Sequence, residues 1–203
     1  MGLDYSFVLY FKRQDPWCLL EGAARFADHN LEEQTAILYP GEIMRLPFEA
    51  WAGTEKKLPI PHDDDSKEWD FMTSLYFDPD EPLRDYADRN GMEDAYKKGK
   101  IAIGYIYLTV YNDWQGYGES YDPSLIRLQF MSAGTRMSLL FAESVSMRRA
   151  FIRYLRDYQG VYGLIDREMD AVLFWLRGEE MEVVIPDAWM GLKEIDEYLS
   201  GRM

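Results

Sequence analysis

The segment Asp4–Phe11, Asp-Tyr-Ser-Phe-Val-Leu-Tyr-Phe, is apolar on both of its alternating faces. Successive side chains of a strand point to opposite sides of a sheet, so this pattern suits a well-covered, central strand. The next residues change period. Asp15 is an N-cap type, Pro16 is pre-set for the first helical position, and Trp17, Leu20, Ala24 and Ala27 recur at helical spacing, predicting a helix to about Asp28. Thr35–Tyr39 and Glu42–Phe48 then flank Pro40-Gly41, a reversal dipeptide, and predict a hairpin.

The same order of strand, helix, strand and strand recurs along the chain. Leu75-Tyr76-Phe77 followed by Glu81-Pro82 parallels Leu9-Tyr10-Phe11 followed by Asp15-Pro16. A helix is expected from about Asp80 toward Lys98, broken near Asn90-Gly91, with strands at Ile101–Tyr111 and Leu125–Met131. A third pass opens with Met137–Phe141 read as a strand, continues with a helix capped by Ser144 from Val145 to Tyr158, and ends in a hairpin of Ala171–Leu176 and Met181–Ile185 around Gly178.

These passes suggest three β-α-β-β units, at about 4–48, 69–131 and 135–185. Aromatic strands followed by capped helices are also common without any repetition, and both explanations stand. A C-terminal helix over 187–200 carries Ala188, Leu192, Ile195 and Leu199 on one stripe. Because hairpins join antiparallel neighbours, the expected fold is α+β: a mainly antiparallel sheet in a single domain, with helices packed on one face. The least regular stretch, 52–67, holds Pro59, Pro61 and the run Asp63, Asp64 and Asp65, and reads as an exposed connection.

Charge narrows the function classes. With 22 basic against 36 acidic side chains the formal net charge is −14. That opposes binding to phosphate backbones, so no nucleic-acid partner is expected, whereas a basic protein partner fits; so does simple solubility. No apolar run approaches the ~20 residues of a spanning helix, and Asp4 interrupts any signal-peptide core, so no membrane association and a cytoplasmic location are expected. One cysteine, Cys18, excludes an intramolecular disulfide. Its place early in a helix could activate a thiol, but a small structural residue accounts for it equally simply.

The chain has no G-x-S-x-G, H-E-x-x-H, phosphate-loop or paired C-x-x-C motif, so no catalytic residue, metal or cofactor is assigned. His29 and His62 are the only imidazoles, and His62 precedes an acidic run whose adjacent residues converge poorly on one ion. Asp78, Asp80, Glu81 and Asp85 suit a helix start better than a calcium loop.

Candidate sites for a partner or ligand are therefore few. Between Ser124 and Arg156 there are six arginines (127, 136, 148, 149, 153 and 156) against Glu143 alone. Arg149, Arg153 and Arg156 gather on one helix face, which could meet an acidic group or be paired to the chain's own carboxylates. Tyr105, Tyr107 and Tyr111 share strand parity, and Trp114, Tyr117, Glu119 and Tyr121 follow in an aromatic, glycine-containing loop suited to recognition.

Two functions follow as expectations. The first is a non-enzymatic binding protein, an acidic inhibitor or immunity-type protein for a basic partner. The alternative is a small-ligand-binding protein or an enzyme using a carboxylate such as Glu119 or Asp122 in an aromatic pocket, recognisable by a raised carboxylate pKa inside a deep cavity. Homo-oligomerisation through a sheet edge or the C-terminal helix is a third, structural role.

Overall fold

A computed structural model describes residues 2–27, 35–39, 42–50, 57–59, 68–92, 95–111 and 122–201. The elements in chain order are β1 (Ser6–Lys12), α1 (Pro16–Ala24), β2 (Thr35–Tyr39), β3 (Glu42–Leu46), β4 (Glu49–Ala50), β5 (Lys57–Pro59), β6 (Glu68–Phe77) and α2 (Glu81–Arg89). They continue with β7 (Tyr96–Lys97), β8 (Lys100–Tyr111), β9 (Leu125–Met131), α3 (Thr135–Glu143), α4 (Val145–Asp157), β10 (Gly160–Asp166), β11 (Ala171–Leu176), β12 (Glu179–Ile185) and α5 (Leu192–Leu199). The fold is α+β. The main sheet runs β12-β11-β10-β1-β9-β8-β6-β4 with β7 on β8, every pair antiparallel, while β3-β2-β5 forms a small second sheet.

β1 is central, as its two apolar faces require. It pairs with β9 on one side and β10 on the other. Phe7, Leu9 and Phe11 enter the larger core with α1, α2, α3 and α4, and Val8 and Tyr10 enter a smaller core on the opposite face. Phe151 of α4 sits among Phe7 (ring centroids 4.4 Å apart), Phe130 (4.8 Å) and Phe77 (6.1 Å). These tilted contacts avoid the face-to-face repulsion of π-systems and add about 0.5–1.5 kcal/mol per pair to the burial itself.

The helix starts follow their sequence signals. Asp15 accepts from the Trp17 amide with Pro16 next in line, as expected. Gly22 lets α1 lie against α4: a Cβ there would stand 2.6 Å from the Tyr154 ring and 2.7 Å from that of Tyr158. Asp80 joins two helices. Its Oδ1 accepts from the Leu83 amide (3.1 Å) at the start of α2, and its Oδ2 accepts from Ser144 Oγ (2.8 Å) and the Ser146 amide (2.9 Å) at the start of α4. Ser144 Oγ in turn accepts from the Met147 amide, the predicted cap.

Four expectations are corrected. Met137–Phe141 is part of α3, not a strand, because Met137, Leu140 and Phe141 are buried together at helical spacing. The third pass therefore lacks its opening strand, and β10, which the sequence reading leaves unassigned, supplies the partner of β1 instead. α2 stops at Arg89, with Gly91 at φ 61°, and Tyr96–Lys97 pairs back on β8 through Lys98 and Gly99, both at positive φ. The C-terminal helix begins only at Leu192. With Ala188 and Met190 before it, its Ile195 covers the second face of the sheet, opposite α1 to α4, while Leu199 is 40% exposed. The hairpin around Gly178 is as expected, with Arg177 and Gly178 both at positive φ, the twist that a tight antiparallel reversal favours.

Replacing Asp80 by Ala removes the cap of α2 and two hydrogen bonds that hold α4. It is expected to cost about 2 kcal/mol or more in urea unfolding, while Asp80→Asn retains part of that. Unchanged stability in Asp80→Ala would show that the two helix starts are held by other contacts.

Candidate functional site

The even-numbered residues of β1 point away from the four-helix layer, and the ladder register fixes their neighbours. Tyr10 lies opposite Arg127 and Tyr162, Val8 opposite Gln129 and Leu164, and Ser6 opposite Met131 and Asp166. Beyond β9, Tyr111 faces Arg127, Thr109 faces Gln129 and Tyr107 faces Met131, and the next strand adds Asp70 and Met72. The C-terminal segment covers Val8, Leu164, Leu173 and Ile185 with Ala188, Met190 and Ile195. Toward β8 and β6 the same face carries polar and aromatic side chains: Tyr107, Thr109, Tyr111, Gln129 and Met131 are half-buried and Asp70 is exposed.

Arg127 lies at the border of the part that the C-terminal segment covers. It is 2% exposed. Its guanidinium lies 4.3 Å from the Trp189 ring centroid, 4.8 Å from that of Tyr111 and 6.0 Å from that of Tyr10. Nη2 donates to Gln129 Oε1 (2.9 Å), and Gln129 Nε2 donates to Ser6 Oγ (3.0 Å). Nε and Nη1 are buried with no hydrogen-bond partner among the described residues. Trp189, 40% exposed, stands on the short segment between β12 and α5, where its amide donates to Asp187 Oδ1 (2.9 Å).

The surroundings of Arg127 are acidic and phenolic. Tyr10 and Tyr162 stack at 4.0 Å, and burial pushes both phenols up, with Arg127 partly offsetting the shift. Asp166 is also raised, mainly by desolvation, against the lowering effects of the Glu168 amide and Arg127; the charge of Asp187 adds to the rise. Folded and unfolded states thus differ in their affinity for this proton.

The arginine face of α4 is differently placed. Arg153 pairs with Asp78 (3.3 Å), Arg156 with Glu180 (2.9 Å) and Arg148 with Glu182 (3.3 Å), while Arg149 is exposed on the outward side. Exposed pairs of this kind contribute at most about 1 kcal/mol each. Trp114, Tyr117, Glu119 and Tyr121 lie outside the described residues, as do His29, His62 and the Asp63–Asp65 run. Tyr107 and Tyr111 are half-buried on the same face as Arg127, and Tyr105, at φ 61° in a bulge opposite Ser74, is 69% exposed. Asp122 accepts from both the amide and the hydroxyl of Ser124, which fixes the turn into β9.

Cys18, Asp78 and Asp80 stand away from this face. Cys18 is exposed, and desolvation together with Asp15 and Glu21 raises its thiol pKa, the opposite of activation. Asp80 is occupied by its helix caps and Asp78 by Arg153 and Lys100, and among the described residues no group of three or more His, Cys, Asp or Glu could hold a metal ion. Among the same residues no helix is long and apolar enough to cross a membrane.

Among the described residues, two surface depressions stand out. One of about 580 Å³ lies between α2 and α3, where Asp85, Tyr86, Arg136 and Glu143 contribute to its walls. The other, of about 900 Å³, lies at the sheet end beside Lys12, Asp122, Arg156 and Arg177. Asp166 lines neither.

In the sequence Arg127 is one of six arginines between Ser124 and Arg156, of which the face of Arg149, Arg153 and Arg156 stands out by its helical spacing. The available signal was the strand Leu-Ile-Arg-Leu-Gln-Phe-Met, whose polar residues 127 and 129 share one face. Comparison with family models, curated proteins and solved structures finds no match to this chain.

The balance of forces around Arg127 sets its contribution to stability. Leaving two guanidinium donors unmatched costs about 1–3 kcal/mol each, more than aromatic contacts of about 1–2 kcal/mol restore. Arg127→Met, which keeps a linear apolar stem between the rings, is therefore expected to leave unfolding free energy within about 1 kcal/mol of wild type or to raise it. A large loss would mean that the guanidinium is a structural anchor.

Asp166 has a folded-state pKa above its unfolded value, so the folded state favours the proton. Its contribution is neutral below the unfolded pKa and becomes unfavourable as pH rises through the folded pKa. Asp166→Asn should stabilise the protein at neutral pH more than at pH below the ordinary carboxylate range. Equal effects at both ends, measured by urea unfolding, would contradict this.

Proposed function

We propose that this chain is a non-enzymatic binding protein, an acidic inhibitor or immunity-type protein that engages a basic protein partner through the sheet face around Arg127 and Trp189. One observation carries the reading: exposed or half-exposed rings of Tyr107, Tyr111 and Trp189 share this surface with the carboxylates of Asp70, Asp166 and Asp187. A Lys or Arg side chain can stack on such a ring while a carboxylate accepts its hydrogen bonds, so aromatic and acidic groups together select for cationic surface. A net charge of −14 would steer a basic partner toward the molecule and reject acidic competitors. The alternative of a carboxylate-dependent enzyme calls for a raised carboxylate within a cavity; among the described residues the raised carboxylate is Asp166, on the sheet opposite Ser6, and Glu119 lies outside them.

Affinity purification from the source organism with the wild-type chain and an Asp70→Asn, Asp187→Asn double variant tests the reading. Both substitutions remove charge with little change of shape, and the amide oxygen introduced at position 187 can still accept from the Trp189 backbone N–H. A stoichiometric basic partner is expected on the wild type, weakened about tenfold in the variant and by raised salt. An acidic or neutral partner, or a basic one indifferent to both the substitutions and salt, would contradict it.

A further inference from the structure

Arg127 differs from the other well-placed arginines of this chain. Arg148, Arg153, Arg156, Arg167 and Arg177 each reach a carboxylate, Arg177 through two bonds to Asp196 of 2.7 and 2.6 Å. Arg127 is more deeply buried than any of these, yet its only hydrogen bond among the described residues goes to a neutral amide, and two of its nitrogens have none. A protein with 36 carboxylates had acceptors available for this site, and Asp166, opposite Ser6 on this face, and Asp187, two residues before Trp189, set negative charge around it. Buried donors left without acceptors are costly and point to an acceptor supplied from outside.

The chemistry of that acceptor is limited by the same neighbours. A carboxylate or phosphate brought to Arg127 would also approach Asp166 and Asp187, so one attraction would be set against two repulsions. A neutral oxygen avoids that conflict. Main-chain carbonyls are the neutral acceptors present on every protein surface, and cationic side chains beside them would be drawn to the same carboxylates. Trp189 lies over the guanidinium on an irregular six-residue stretch, 186–191, and is itself 40% exposed.

We infer that Arg127 receives main-chain carbonyl oxygens of a cationic peptide segment of the partner, and that Trp189 shifts off the guanidinium to admit it. This rests on the proposal of a basic partner and names the group at the centre of its footprint. Trp, Tyr and Arg are the residue types that most often dominate binding energy at interfaces, and here all three occur in one contact group.

The test uses the full-length protein and a capped peptide, acetyl-glycyl-arginyl-lysine amide, which offers carbonyls and cations but no free carboxylate. The Arg127 Nε–Hε and Trp189 indole resonances are followed by NMR, with acetate and inorganic phosphate as anionic probes. The peptide is expected to shift both resonances, the anions neither, and Arg127→Met to weaken peptide binding about tenfold or more. Shifts caused by acetate or phosphate instead of the peptide, or no shift with any probe, would overturn the inference on the wild-type protein alone. Peptide binding that Arg127→Met leaves unchanged but Asp70→Asn, Asp187→Asn abolishes would also overturn it, while leaving the basic-partner reading intact.

Discussion

β1 is covered on both faces, and the rest of the molecule is arranged around that constraint. Phe7, Leu9 and Phe11 meet the layer of α1 to α4, and Phe151 closes this side against Phe7, Phe77 and Phe130. Val8 and Tyr10 need a second cover, which the C-terminal segment supplies with Ala188, Met190 and Ile195. That cover is short. It protects the β10–β12 side of the second face and ends at Trp189, over Arg127. Among the described residues, one eight-residue helix and its lead-in cover this face, and they do not reach across β9, β8 and β6.

Local chemistry made much of this architecture legible. Asp15-Pro16 and Asp80-Glu81-Pro82 announced their helices because capping and fixed proline geometry act within a few residues. The hairpins at 35–46 and 171–185 followed from turn chemistry between β-rich runs. Met137–Phe141 misled because a five-residue run with four apolar side chains fits either period, and only the joint burial of Met137, Leu140 and Phe141 decides for the helix. β10 was unassigned since two of its seven residues are glycines, and Gly163 is required by the close approach of Leu155 and Phe174 from other elements.

The candidate site was less legible for a different reason. The side chains around Arg127 come from β1, β8, β9, β10 and the segment before α5, so no local spacing could unite Tyr10, Tyr111, Asp166 and Trp189. The local arginine excess was visible, but it drew notice to α4, where Arg153 and Arg156 are met by Asp78 and Glu180. The arginine of greater interest lies within an apolar strand, where its burial and unmatched donors appear only once the sheet is assembled. Tyr107 and Tyr111 were correctly paired by parity, and their position opposite Met131 and Arg127 joins them to that surface.

Hydroxyl-radical footprinting of the chain with its captured partner tests most directly whether the sheet face around Arg127 and Trp189 is the recognition surface. Reduced oxidation is expected at Met72, Met131, Tyr107 and Trp189 in the complex, with Tyr86 and Leu139 in the α2–α3 cleft unchanged. Protection at Tyr86 and Leu139, with Met131 and Trp189 oxidised as in the free chain, would contradict it.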